Sequence, residues 1–254
     1  MASSSDPDTG TAQSSSQGHG APVNVILTGT SRGLGAALFD ALAARGDRLF
    51  AIGRRFTDDQ QALAGSDPER IELHRADLAE VSQLPAPAHL QRFLAAHGPA
   101  PAVLLHNAAV VTPIGAVGAL PPAPLATALT VNLTAPMLLT NTFLEVAPRP
   151  ARIVFISSGA ASRVVGGFAA YCAAKAGAEM FFNVVADQFR DDPDVTAVNV
   201  NPGQMDTGMQ TDIRQAGAAG AYFPARQIYV DRHARGEMAD ATTVAQRIIA
   251  EHLS

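Results

Sequence analysis

The chain has 254 residues, 47% hydrophobic and 16% charged, with a formal net charge of −5. That length supports one large folded unit, and the acidic balance leaves no basic footprint for nucleic acid. A single cysteine, Cys172, excludes an intrachain disulfide and fits a reducing, cytoplasmic setting, and the histidines show no metal-ligand spacing, so no metal is expected.

Residues 1–21 are rich in Ser, Gly and Asp and lack the basic start and apolar middle of a signal peptide, so a disordered tail is expected there. Residues 22–254 read as a single domain. VNVILTG (23–29) is a β-branched apolar run that ends at glycine, the mark of a buried strand. GLGAALFDALAARG (33–46) carries apolar residues at helical spacing and closes on Gly46. RLFAIGRR (48–55), RIELHRADL (70–78), PAVLLHNAA (101–109), ARIVFISSG (151–159) and VTAVNVNPG (195–203) read as five further strands. Helices are expected near 79–97, 123–147 and 168–190, and the C-terminal TTVAQRIIAEHLS is again helical. Prolines between Pro99 and Pro124 break the longest apolar stretch, so no membrane span is expected. Near-continuous hydrophobic strands alternating with helices predict an α/β fold: a single doubly wound Rossmann-type domain. Its parallel sheet would have six or seven strands, with helices on both faces.

TGTSRGLG (28–35) joins the first strand to the first helix. Its glycines permit a tight turn and let a pyrophosphate approach the helix N-terminus, where free N–H groups favour anions. Gly29, Thr30, Ser31, Arg32, Gly33, Leu34 and Gly35 are therefore candidate cofactor-binding residues. At the end of the second strand an acid would bond the ribose hydroxyls of an unphosphorylated dinucleotide, but here Gly53 is followed by Arg54 and Arg55. A guanidinium forks onto a 2′-phosphate, and Arg32 adds positive charge to the same pocket, so the pattern points to NADP(H). The plain alternative is two solvated arginines after a strand.

Lys175 is the only lysine in the chain and lies four residues after Tyr171, on the same face of an expected helix. Ser158 ends the fifth strand in ISSG, Asn132 lies in TVNLTAP, Asn107 follows the fourth strand in HNAA, and NPGQMDT (201–207) follows the sixth. In these motifs, taken in order from Val23 to about Thr211, the chain resembles the short-chain dehydrogenase/reductases. SSGAASRVVGGFAAYCAAKAGAEMF and PGQMDTGMQ look most like the sepiapterin reductase and benzil reductase branch.

The resemblance implies roles for these positions. Tyr171 would protonate a carbonyl oxygen, and Lys175 would lower the phenol's pKa and bond the nicotinamide ribose, work suited to a compact ammonium. Ser158 would bond the substrate oxygen, and Asn132 would hold a water in a proton relay. Asp77 and Leu78 would meet the adenine, although Asp77 could simply cap a helix. Asn107 and Ala108 would line the ribose side, with Pro202, Gly203, Met205 and Thr207 at the nicotinamide and diphosphate. The chain departs from the family at HNAA, where His106 and Ala109 replace the usual residues. It also shows no clear match to the acid that anchors pterin, Glu251 being a distant possibility.

Residues 205–235 resemble a lid over substrate and cofactor. Val164, Val165, Phe168, Met209 and Tyr222, with Ser158, are candidate substrate contacts, and Cys172 reads as a packed small residue. The expected activity is NADPH-dependent reduction of a ketone or 1,2-diketone, a small-molecule carbonyl, to a secondary alcohol. An NADP-linked alcohol dehydrogenase running oxidatively, or a noncatalytic NADP-binding regulator, are the alternatives. A homodimer or homotetramer, built through helices near 134–147 and 171–186, is implied by the resemblance.

Overall fold

The computed structural model describes residues 22–96, 100–216 and 222–253. The tail expected over 1–21 lies outside them, as does the part of the lid at 217–221.

Six strands form one parallel sheet: β1 (Asn24–Thr28), β2 (Arg48–Gly53), β3 (Ile71–Arg75), β4 (Ala102–His106), β5 (Ala151–Ile156) and β6 (Val195–Val200), in the order β3-β2-β1-β4-β5-β6. In this register Leu27 of β1 stands between Ala51 of β2 and Leu105 of β4. The order reverses direction between β1 and β4. Loops leaving the carboxyl ends of these two strands part there, which opens a crevice for a ligand.

Alternation along the strands sorts the core into two layers. Val25, Leu27, Leu49, Ala51, Val103 and Leu105 pack on α1 (Gly33–Arg45) and the C-terminal helix, whose Val244, Ala245 and Ile248 are buried with them. Ile26, Phe50, Ile52, Leu104, Ile153 and Phe155 face the other way, toward Phe93, Phe143 and Phe182. Helices thus cover both faces.

Two expectations need correction. The helix expected over 79–97 is a short turn at Val81–Gln83 followed by α3 (Pro87–Ala95). Pro85 and Pro87 disfavour helical backbone at the residues before them, so the helix can begin only at Pro87. A helix that periodicity did not reveal, α2 (Asp58–Ser66), has only Gln60 buried. It starts instead on a capping box, in which the Thr57 hydroxyl accepts from the Gln60 N–H at 3.2 Å and the Thr57 N–H donates to Gln60 Oε1 at 3.1 Å.

The segment expected near 123–147 is α4 (Pro122–Leu129), a π-helical turn (Thr130–Thr134) and α5 (Ala135–Val146). By length and composition alone the run could cross a membrane, but Leu139 and Phe143 are buried in the core. The helix expected near 168–190 is α6 (Ala169–Gln188), followed after β6 by α7 (Gly208–Ala216), α8 (Arg226–Ala234) and α9 (Ala241–His252). Among the described residues no seventh strand forms; a single bridge joins Met205 to Ala239.

Candidate active site

A cleft of about 920 Å³ runs along the carboxyl ends of the strands, from the end of β2 across the β1/β4 reversal to the end of β5. At its centre is the turn into α1. Gly29 and Gly33 have φ of 74° and 56°, in the left-handed region, and a Cβ on Gly35 would stand 1.9 Å from the Gly29 carbonyl oxygen. Only glycines close this turn. Asn107 braces it: its Nδ2 donates to the carbonyls of Thr28 at 3.1 Å and Gly29 at 2.9 Å. No side chain caps the N-terminus of α1, and its first turn carries no acid. The unpaired N–H groups of that turn, with the positive end of the helix dipole, therefore remain open to an anion.

Ser31, Arg32, Leu34, Ala108, Pro202, Gly203, Met205 and Thr207 line the same cleft as these glycines, and Arg54, Arg55, Asp77 and Leu78 lie at its β2 end. Arg54 reaches Asp77 at 3.8 Å. Asp77 Oδ1 also accepts from the Ala79 N–H at 3.0 Å, so it shapes the loop after β3 as well as facing the cleft. Arg32 extends to Asp212 on α7 at 3.6 Å, which offsets part of the charge expected near Arg54.

At the β5 end, Ser158 Oγ accepts from the Ala160 N–H at 3.2 Å and bonds the Tyr171 side chain. Tyr171 and Lys175 sit one turn apart on α6, both buried and both lining the cleft. Lys175 Nζ donates to the Ile156 carbonyl at 2.7 Å and stands 4.5 Å over the Phe155 ring. Burial holds the Tyr171 phenol up at about 12, against the opposing pull of its hydrogen bond to Ser158. Burial also drives Lys175 down to about 7, with Glu179 one turn on holding it partly up. Desolvation dominates at the phenol, so at neutral pH the tyrosine keeps its proton.

Several other expected site residues are placed differently. Asn132 is buried in the π-helical turn with both ends of its amide committed to Val110. Its Oδ1 accepts from the Val110 N–H at 2.8 Å, and its Nδ2 donates to the Val110 carbonyl at 2.7 Å, which leaves one N–H and one lone pair of the amide uncommitted. Thr30 is wholly buried behind the turn rather than in the cleft. Val164 is 100% exposed and Tyr222 56% exposed, and neither lines the cleft, whereas Val165, Phe168 and Met209 do. His106 ends β4 on the opposite face from Leu105, where strand alternation sends it into the core. It bonds Thr140 Oγ1 at 2.8 Å, and burial followed by the nearby Lys175 pushes it down to about 3. Ala109 lines the cleft. Glu251 lies on α9, against His252 at 3.6 Å, away from the cleft lining.

The segment expected to form a lid packs in two ways. Phe223 is buried and stacks on Phe168 at 4.9 Å, while Tyr229 of α8 faces the cleft. Of the lid aromatics Tyr222, Phe223 and Tyr229 that could have lined a pocket, Tyr229 does so, whereas sequence reasoning missed Arg163 and Arg232 as cleft residues. Only the two flanking motifs, the Ser158 loop and the lid, could have pointed to them.

A family model described as short chain dehydrogenase matches residues 23–218. The chain is 32% identical over 196 residues to benzil reductase ((S)-benzoin forming) of Bacillus cereus, an alignment covering 75% of this chain and 79% of the relative. It is 27% identical over 241 residues to sepiapterin reductase of Xenopus tropicalis, covering 88% of each. A crystal structure of a short chain dehydrogenase from Burkholderia cenocepacia J2315 in complex with NADP superposes with a TM-score of 0.69 at 25% identity, over 89% of each chain.

Proposed function

The chain belongs to the short chain dehydrogenase family, and from that premise we propose that it is an NADPH-dependent carbonyl reductase acting on a ketone or 1,2-diketone. The observation that carries this reading is Tyr171, buried, bonded to Ser158 and holding its proton through neutral pH, one helical turn from Lys175. A phenol that is protonated at neutral pH has a proton to give to a carbonyl oxygen.

The residues present fit a phosphorylated dinucleotide. The uncapped α1 N-terminus and its glycine turn suit the pyrophosphate, and Arg54 and Arg55 suit a 2′-phosphate at the β2 end. Bound there, NADPH would supply a hydride to the carbonyl carbon. Ser158 bonds the carbonyl oxygen and Tyr171 gives its proton to that oxygen as charge develops, leaving the secondary alcohol. Lys175, titrating near 7, exchanges protons readily at neutral pH; its ammonium, with one donor on Ile156, keeps others for the cleft. Asn132 positions the Val110 loop. The similarity to benzil reductase supports a ketone whose neighbouring carbon is also a carbonyl, and nothing at Glu251 supports a pterin.

A homo-oligomer also belongs to this reading. Met180 and Val184 of α6 are 63% and 58% exposed, and Met137 and Leu138 of α5 are also exposed, apolar groups of the kind a second copy would cover.

The test is loss of reduced-nicotinamide absorbance across a panel of ketones and diketones, with chiral analysis of the alcohols. Turnover with NADPH is expected. Arg54→Ala combined with Arg55→Ala should weaken NADPH by at least about tenfold while hardly touching NADH. Equal losses for both cofactors would refute the phosphate assignment, and binding without turnover across the panel would refute the enzyme.

A further inference from the structure

Two arginines at the opposite end of the cleft from Arg54 and Arg55 have no part in the reaction as described. Arg163 follows β5, three positions across the sheet from β2. Its Nε donates to the Gly159 carbonyl at 3.2 Å, and a Cβ on Gly159 would fall 2.1 Å from its Nη2 and 3.0 Å from its Cζ. The guanidinium therefore lies on the residue directly after Ser158, in the space a side chain there would take. Arg232, on α8, donates from Nη1 to Gln204 Oε1 at 2.9 Å and lines the same cleft.

Tyr229 stands three residues before Arg232, on the same side of α8. Both guanidiniums act electrostatically on its hydroxyl, and Tyr229 in turn acts on Tyr171, so these charges gather beside the proton donor. Among the described residues no carboxylate lies within ion-pair distance of Arg163 or Arg232, whereas Arg32 and Arg54 each have one. One hydrogen bond apiece leaves most of the five N–H donors of each fork available.

We infer that the substrate is an oxo acid, whose carboxylate is received by Arg163 and Arg232 at the cleft mouth while its carbonyl meets Ser158 and Tyr171. This rests on the carbonyl-reductase reading and narrows it. A carboxylate matches the planar fork of a guanidinium, and the Tyr229 hydroxyl can add a third bond. An uncharged diketone would leave both forks to water.

Matched substrates test this directly: benzoylformate, its methyl ester, and the neutral 1-phenyl-1,2-propanedione. The wild-type kcat/KM should be higher for the acid than for the ester, and added salt should narrow that preference, because both arginines are exposed. Arg163→Gln and Arg232→Gln should each lower the acid-to-diketone specificity ratio by about fivefold. The inference is overturned if the ester equals or beats the acid, or if the variants leave that ratio unchanged. If none of the three is reduced, the ketone and diketone panel decides the carbonyl-reductase reading, separately from the anion site. Calorimetric titration of benzoylformate into the wild type and the double variant then decides the anion site alone: tighter binding to the wild type supports it, and equal or absent binding overturns it.

Discussion

Tyr171 and Lys175 are shifted in opposite directions by one cause. Burial disfavours whichever form is charged, so it raises a phenol and lowers an ammonium. Tyr171→Phe keeps the packing of the ring and removes the proton, so kcat should fall by about a thousandfold while NADPH titrates normally. Near-normal turnover in that variant would exclude Tyr171 as the donor. Lys175 carries a stability cost. The folded protein holds this lysine near 7 against 10.5 when free, so between those values the unfolded chain binds a proton that the folded chain does not. Stability from this group therefore rises with pH across that window, and the cost is fully present below it. Lys175→Met should be more stable than the wild type at about pH 6, by about 1–2 kcal/mol, with the gap closing toward about pH 10. Thermal unfolding at the two pH values checks this, and a gap that widens with pH would contradict it.

At the scale of elements, the turn from β1 into α1 ties structure to ligand binding most closely. Its backbone folds back so far that Gly35 faces the Gly29 carbonyl, and Asn107 from the neighbouring strand pins that carbonyl in place. Gly35→Ala would force the turn open by pushing backbone against backbone, which side-chain rotation cannot relieve. The variant should lose about 2–4 kcal/mol of stability and most of its NADPH affinity. Chemical denaturation and cofactor titration measure the two losses, and a variant with wild-type affinity would show that the turn does not hold the pyrophosphate. The α7–α8 segment behaves differently from the sheet. Phe223 fastens it to Phe168, while Tyr229 and Arg232 are turned to the cleft, so one element contributes both a core contact and the groups that meet a ligand.

For the molecule as a whole, two core layers on a six-stranded sheet account for nearly all the buried apolar residues except the small cluster under the lid, around Phe168, Tyr171 and Phe223. Among the large apolar residues the core leaves exposed are Met137 and Leu138 of α5 and Met180 and Val184 of α6. Met180→Glu with Val184→Glu would place charges there without disturbing Phe182 or Val185, which point inward. Light scattering should report an oligomer for the wild type and a smaller species for the variant; an unchanged mass would remove this face as the interface.

Local pattern was enough to place most strands and helices, because each buried strand is a short apolar run and each covering helix repeats at its own period. It was enough, too, to single out the glycine turn, and Tyr171 with Lys175 on one helical face. The one without an apolar stripe, α2, escaped because its capping box holds it, and α3 was expected too long because prolines cut it short. Only the tertiary structure decided which way each side chain faces and what surrounds it. His106 and Asn132 carry polar groups that the folded core absorbs, Val164 is turned out to solvent, and Arg163 comes to rest on Gly159. Desolvation explains the largest of these differences. It depends on every neighbour packed around a group, so the protonated tyrosine and the weakened lysine could be read only once the strands and helices that enclose them had closed.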